Sequence, residues 1–186
     1  MSVDQVTRRI GYIIGSISST SINRKLAQAL EKLAPEGSKL FEIPIAELPF
    51  YSPDHDENYP QIALDLKKQI ETADGVIIVT PEYSRSIPGV LKNALDWASR
   101  PRGSSSFSGK PTAIIGTSPG PISTAAAQQH LRAILGNLNA VTLGQPEGYI
   151  HFKPGLFTDE GDIGVESTAE FLRGYLRAFD ALVSKF

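Results

Sequence analysis

Three short, almost unbroken apolar runs constrain this chain most: residues 10–14 (IGYII), 75–80 (GVIIVT) and 112–117 (TAIIGT). A strand with one wet face alternates polar and apolar residues. A run without that alternation must be covered on both faces, as strands of a parallel sheet are. Residues 39–43 (KLFEI) read as a further strand and residues 140–143 as a weaker fifth. Between these runs, apolar residues recur at helical spacing: Ile22, Leu26, Leu30 and Leu33; Ile62, Leu66 and Ile70; Leu131, Ile134, Leu135 and Leu138; Phe171, Tyr175, Phe179, Leu182 and Phe186. A shorter helix is expected from Pro88 through Leu91 and Leu95 to about Trp97, since proline suits a first helical turn. Alternation of strand and helix predicts an α/β, doubly wound sheet with helices on both faces. No composition break, repeat or low-complexity linker divides the chain, so residues 1–186 are read as one domain.

Composition narrows the function classes. The chain has no cysteine, which removes thiolate nucleophiles, Fe–S clusters and cysteine zinc sites; redox chemistry must then come from a bound cofactor. A net charge of −2 argues against a nucleic-acid partner. The segment 1–9 is polar and has no long apolar stretch of the secretory type, and no run approaches the ~20 apolar residues that span a bilayer. A cytoplasmic protein is the expectation. His55, His130 and His151 are scattered without metal-ligand spacing, so no metal site is expected.

In open α/β sheets ligands bind beyond the carboxyl ends of the strands, where strand order reverses. Three segments fall there. The first, Gly15 to Asn23 (GSISSTSIN), packs five hydroxyl residues into the turn before a helix. A helix amino terminus with hydroxyls and free N–H groups is a phosphate cradle. A plain helix cap needs only one such residue. Neither G-x-G-x-x-G nor G-x-x-x-x-G-K-[ST] occurs, and Gly109-Lys110-Pro111 precedes a strand rather than following one; the phosphate of a mononucleotide is the best candidate ligand. The second segment, Pro81-Glu82-Tyr83-Ser84-Arg85-Ser86-Ile87-Pro88-Gly89, is stiffened by two prolines, and Tyr83 offers an aromatic surface to a flat ring. The third, Thr117-Ser118-Pro119-Gly120, ends the fourth strand, with Gly120 permitting close backbone approach.

Taken together, G-S-x-S-x-x-S-x-N-x-x-L-A, P-E-Y-S-x-S-x-P-G-x-L-K-N-A-L-D-W and T-S-x-G resemble the NADPH-dependent FMN reductase family, and within it the bacterial NAD(P)H quinone, chromate and ferric reductases. The resemblance implies a flavodoxin-like, five-stranded parallel sheet in the order 2-1-3-4-5 and non-covalent FMN. It implies ping-pong hydride transfer from NAD(P)H to the flavin and on to small-molecule acceptors such as quinones, chromate or ferric complexes. It also implies a homodimer or homotetramer with the flavin near the subunit contact. Carried over by residue, Gly15, Ser16, Ser18, Ser21, Ile22 and Asn23 fall on the phosphate loop. Pro81, Glu82, Tyr83, Ser84 and Arg85 fall along the isoalloxazine ring, and Ser118 and Gly120 on the third contact. The stretch Leu48-Pro49-Phe50-Tyr51 falls near the partner subunit's site. The flavin carries the chemistry, so no catalytic side chain is assigned.

Two departures stand out. Many relatives carry Arg where Ser18 stands and Asn where Ser84 stands, so a charge-assisted phosphate contact worth about 1.5–3 kcal/mol is absent here; Arg85 is the residue placed to compensate in part, or else to meet the phosphates of the nicotinamide cofactor. The competing expectation is a flavodoxin-like electron carrier that binds FMN without oxidising NAD(P)H itself. A cofactor-free hydrolase is disfavoured, because the loops present no Ser-His-Asp set.

Overall fold

The computed structural model describes residues 7–186, and most of segment 1–9 lies outside them. The apolar runs form β1 (Arg8–Ile14), β3 (Gly75–Val79) and β4 (Pro111–Ser118), with β2 (Ser38–Glu42) and β5 (Val141–Thr142) beside them. All pairings are parallel, in the order β2-β1-β3-β4-β5.

One correction concerns the fifth position. Between the fifth run and the last helical pattern, where the sequence pattern marks no strand, lies a sixth, β6 (Gly148–His151). β5 pairs with the start of β4 (Pro111 and Thr112) and β6 with its end (Ile115 to Ser118), so two short strands together fill one place in the sheet. Pro146 lies between them and has no N–H to donate to a ladder.

The side-chain period of two sorts the buried strands onto two cores. Ile13, Val76, Ile78 and Ile114 face α2 (Gln61–Thr72), α3 (Gly89–Ser99) and α4 (Ala125–Asn137). Ile10, Tyr12, Ile14, Ile77, Val79, Ala113 and Ile115 face α1 (Ile22–Lys32) and α5 (Glu166–Val183). Of the apolar pattern read at the tail, Tyr175 and Phe179 are buried; Leu172, Leu176 and Val183 complete the buried face, while Phe171 and Phe186, the latter beyond α5, are exposed.

The long connection at residues 44–60 is strapped down by α3. Asn93 and Trp97 sit one helical turn apart, and both Asn93 Nδ2 (3.0 Å) and Trp97 Nε1 (2.7 Å) donate to the Pro49 carbonyl. Trp97 is fully buried, with Tyr51 and Tyr59 edge-on to it at 5.2 and 5.1 Å. Burial, then the Asp56 carboxylate, pushes the Tyr59 phenol up to about 12, so it stays protonated at neutral pH. This arrangement accounts for K-N-A-L-D-W as a structural signature.

Candidate functional site

The chain leaves β1 for β2 on one side and β3 for β4 on the other, so strand order reverses between the carboxyl ends of β1 and β3. There the loops after β1, β3 and β4 enclose a cleft of about 240 Å³. Nine of its lining residues were read from the sequence as ligand contacts: Ser16, Ser18, Ser21, Ile22, Asn23, Pro81, Glu82, Tyr83 and Ser118. Thr20, Thr117 and Pro119 line it as well. Gly15, Ser84, Arg85 and Gly120 do not line it. A larger hollow of about 500 Å³ opens beside Asp74 and Lys110, at the amino ends of the strands. It is less suited to an anion, because the Lys110 ammonium already donates to the Ala73 and Glu71 carbonyls.

The first loop is a string of hydroxyl turns. Ser16 Oγ accepts the Ser18 N–H (3.3 Å), Ser18 Oγ the Thr20 N–H (3.3 Å), and Ser21 Oγ the Arg24 N–H (3.2 Å), capping α1. Ser16 and Ser21 thus accept from backbone and keep their O–H hydrogens to donate. Ser18 and Thr20 share one hydrogen bond (3.2 Å) and keep the other hydrogen. The N–H groups of Ile22 and Asn23 belong to the first turn of α1, which supplies no acceptor for them. Arg24 is held away by a bidentate pair with Glu42 (2.8 and 3.0 Å). An anion here meets neutral donors and a helix terminus, with no cationic side chain in the lining.

Asn23, which lines the cleft, has a structural part as well. The residue is 1% exposed and its amide clamps one backbone unit: Nδ2 donates to the Thr117 carbonyl (3.0 Å) and Oδ1 accepts the Thr117 N–H (2.9 Å). It ties the first loop to the third, leaving the second Nδ2 hydrogen and the backbone N–H for a ligand. Gly15 likewise serves packing, since a Cβ there would stand 2.9 Å from Thr80 Oγ1 and 3.1 Å from Leu91 Cδ2.

Thr117 carries a signal that the sequence could not show. Its hydroxyl is buried and has no hydrogen-bond partner among the described residues, in a residue that lines the cleft. Buried hydroxyls are normally satisfied, and an orphan costs about 1–3 kcal/mol. A phosphate or polyol chain in the cleft supplies what it lacks, so the residues present fit FMN. Thr117→Val is accordingly expected to act with opposite signs. It should stabilise the apoprotein or leave it unchanged, while weakening FMN about 3- to 10-fold. Denaturant unfolding of the apoprotein beside an FMN titration checks both.

The second loop turns back on itself. Tyr83 and Ser86 exchange both backbone hydrogen bonds (2.9 and 3.0 Å), and the two residues between them, Ser84 (φ 50°) and Arg85 (φ 64°), are left-handed. This is the hairpin-turn geometry that Asn-Gly favours. Two residues with Cβ atoms there store about 1–2 kcal/mol each. Glu82, which lines the cleft, also has a structural part: its carboxylate accepts the Ala127 N–H in the first turn of α4 (3.0 Å). Arg85 spans the turn to Glu82 (3.3 Å) and does not point into the cleft. In the third loop, Ser118 Oγ accepts the Gly120 N–H (3.2 Å), and His151 Nε2 lies 3.2 Å from the Pro119 carbonyl, so that nitrogen carries the proton.

Four exposed apolar side chains, Ile17, Phe50, Tyr83 and Ile122, occupy the loops after β1, β2, β3 and β4 respectively, and of these Tyr83 lines the cleft at its apolar rim. Tyr83 is 52% exposed and Phe50, on the strapped loop, 87%.

Comparison with known proteins agrees with this geometry. The chain is 47% identical over 175 residues to the 2-hydroxy-1,4-benzoquinone reductase of a Burkholderia species, covering 94% of this chain and 96% of that one. It is 39% identical over 179 residues to the quinone reductase of Escherichia coli K12, covering 93% and 94%. Among solved structures it is similar to FerB, the flavoenzyme NAD(P)H:(acceptor) oxidoreductase of Paracoccus denitrificans, with a TM-score of 0.91 and 40% identity over 96% of this chain and 98% of that one. The family profile described as NADPH-dependent FMN reductase matches residues 8–155, from β1 through the third loop and β6. The chain belongs to the NADPH-dependent FMN reductase family.

Proposed function

We propose that FMN occupies the cleft with its phosphate among Ser16, Ser18, Thr20 and Ser21 at the start of α1, and that the acceptor is a quinone. As a member of its family the chain is an FMN-dependent oxidoreductase that draws its electrons from NAD(P)H. When bound, FMN would supply the redox chemistry, hydride acceptance from NAD(P)H and its release to the acceptor. The protein's part is binding, orientation and electrostatics.

The orphan hydroxyl of Thr117, set among free donors where strand order reverses, carries this reading. The Ile22 and Asn23 N–H groups and the Ser16 and Ser21 hydroxyls would take the phosphate oxygens. Thr117 would serve the ribityl chain or phosphate. A cleft of about 240 Å³ falls below the ~300–1,000 Å³ of sites that enclose a whole ligand, so the ring would lie on the apolar rim beside Pro81 and Tyr83. A ring placed there leaves one face open to a planar acceptor. That suits quinones, the substrates named for the relatives above.

We also place two or four copies in the working assembly, in the cytoplasm, with residues 1–186 as one domain. Phe50 supports the assembly: a rigidly strapped, exposed aromatic is an anchor of the kind that fills a partner's pocket. No helix among the described residues is long and apolar enough to cross a membrane.

One preparation tests the reading. Purified protein with FMN should show flavin absorbance, sediment as a dimer or tetramer, and oxidise NADH or NADPH only when a benzoquinone is supplied. Bound flavin without quinone-dependent turnover would overturn the acceptor in favour of an electron carrier. A monomer would overturn the assembly.

A further inference from the structure

We propose that His130 is a positioning residue for the flavin: acting through Ser86, it holds residues 83–86 in the conformation that presents Tyr83 to the cleft. The inference rests on the placement of FMN given above.

The turn at residues 83–86 is strained, although Tyr83 and Ser86 exchange both backbone hydrogen bonds across it. Ser84 and Arg85 are both left-handed without being glycine or asparagine, and such strain persists only where the surroundings over-determine it. Those surroundings are two anchors on one helix. At the loop's start, the Glu82 carboxylate accepts the Ala127 N–H (3.0 Å), and its side chain is 9% exposed. At the far end, Ser86 Oγ and His130 Nδ1 lie 2.7 Å apart. Ala127 and His130 are three residues apart on α4, hence on neighbouring turns of one face. α4 therefore grips the loop on both sides of the strained pair. The remaining interactions, the Tyr83–Ser86 backbone pair and Arg85 with Glu82, stay inside the loop and do not tie it to a helix. Among the described residues, His130 is the one side chain outside the loop that hydrogen-bonds to residues 83–86.

His130 contributes nothing to the core. It lies on the exposed side of α4, and its ring makes its hydrogen bond 44 residues away in sequence. Tyr83, in contrast, lines the cleft and stands on its rim. Losing the Ser86 anchor frees the strained pair to relax and lets Tyr83 wander. The fold is untouched, while the surface that meets the ring is blurred.

The experiment compares wild type, His130→Ala and His130→Asn. Asparagine places a hydrogen-bonding atom as many bonds from Cβ as Nδ1, so it can still reach Ser86. For His130→Ala, the FMN Kd should rise about 3- to 10-fold. At saturating FMN, the KM for a benzoquinone should rise with kcat nearly unchanged, and the apoprotein unfolding midpoint should not move. His130→Asn should recover most of the loss. The proposal fails if His130→Ala matches wild type, if His130→Asn is as impaired as His130→Ala, or if the apoprotein midpoint falls in step with affinity. Failure of wild type itself to take up FMN would instead sink the cofactor placement.

Discussion

Alanine at position 116 is expected to abolish FMN binding and to destabilise the chain by about 3 kcal/mol or more. Gly116 lies near the end of β4, where the strand passes under the turn that begins the second loop. A Cβ there would stand 2.1 Å from the Thr80 carbonyl oxygen and 2.5 Å from Thr124 Oγ1. The first is backbone, which cannot swing aside, so the strand or the turn must shift. Overpacking costs about 1–3 kcal/mol when side chains absorb it and more when backbone must move. Thr80 is itself pinned, its N–H donating to the Ile115 carbonyl (2.9 Å), so displacement spreads into Pro81 and the loop beside the cleft. Gly120→Ala is the control: its Cβ would meet only Ser118 Oγ, at an ordinary 3.5 Å, and unfolding should barely change. Denaturant melts of both apoproteins, with an FMN titration of Gly116→Ala, check the contrast.

The second large effect is expected at Asn23. Asn23→Ala strips both partners from Thr117, leaving a buried N–H and a buried C=O unsatisfied at the junction of two ligand loops. At about 1–3 kcal/mol for each orphan, roughly 3 kcal/mol should be lost. FMN affinity should fall with it, because the clamp sets the distance between the first and third loops. Asn23→Asp separates shape from hydrogen bonding. One carboxylate oxygen can accept the Thr117 N–H, but the other faces the Thr117 carbonyl and repels it. Burial beside that carbonyl holds the new carboxyl's folded pKa above its unfolded value. The stabilising, protonated form, which can donate to the carbonyl, therefore prevails at low pH and is lost as pH rises through the folded pKa. Relative to wild type, the Asp variant should be least impaired in acid and worst at neutral pH, as unfolding across a pH series will show.

How much the sequence disclosed depended on the range of the interaction. Continuous apolar runs announce two-sided burial by themselves, so β1, β3 and β4 and the layered architecture were legible. β6 was hidden, because four residues after Pro146 carry too little pattern to separate from a loop. The hydroxyl-rich turn revealed the cradle, since strand, turn and helix start are contiguous. What escaped depends on partners far apart in the chain. Asn23 reads as a ligand contact, and nothing local shows that its amide also clamps Thr117, 94 residues away. His130 and His151 gave no signal at all, since each is isolated in sequence and touches a ligand loop only after folding. Arg85 was placed to compensate for the missing phosphate arginine, yet the left-handed turn, which neither Ser84 nor Arg85 advertises, directs it to Glu82.

The division of the fifth sheet position into β5 and β6 bears on how the protein behaves when crowded or partly unfolded. An outermost strand offers unpaired N–H and C=O groups to any passing chain, and long flat ones seed aggregates. Here that border is cut into pieces of two and four residues with a proline between them, and neither is long enough to template a foreign strand. On the opposite border, β2 is five residues long and carries Lys39 and Glu42. With both borders short or charged, the open sheet resists edge-to-edge polymerisation even while the flavin is away.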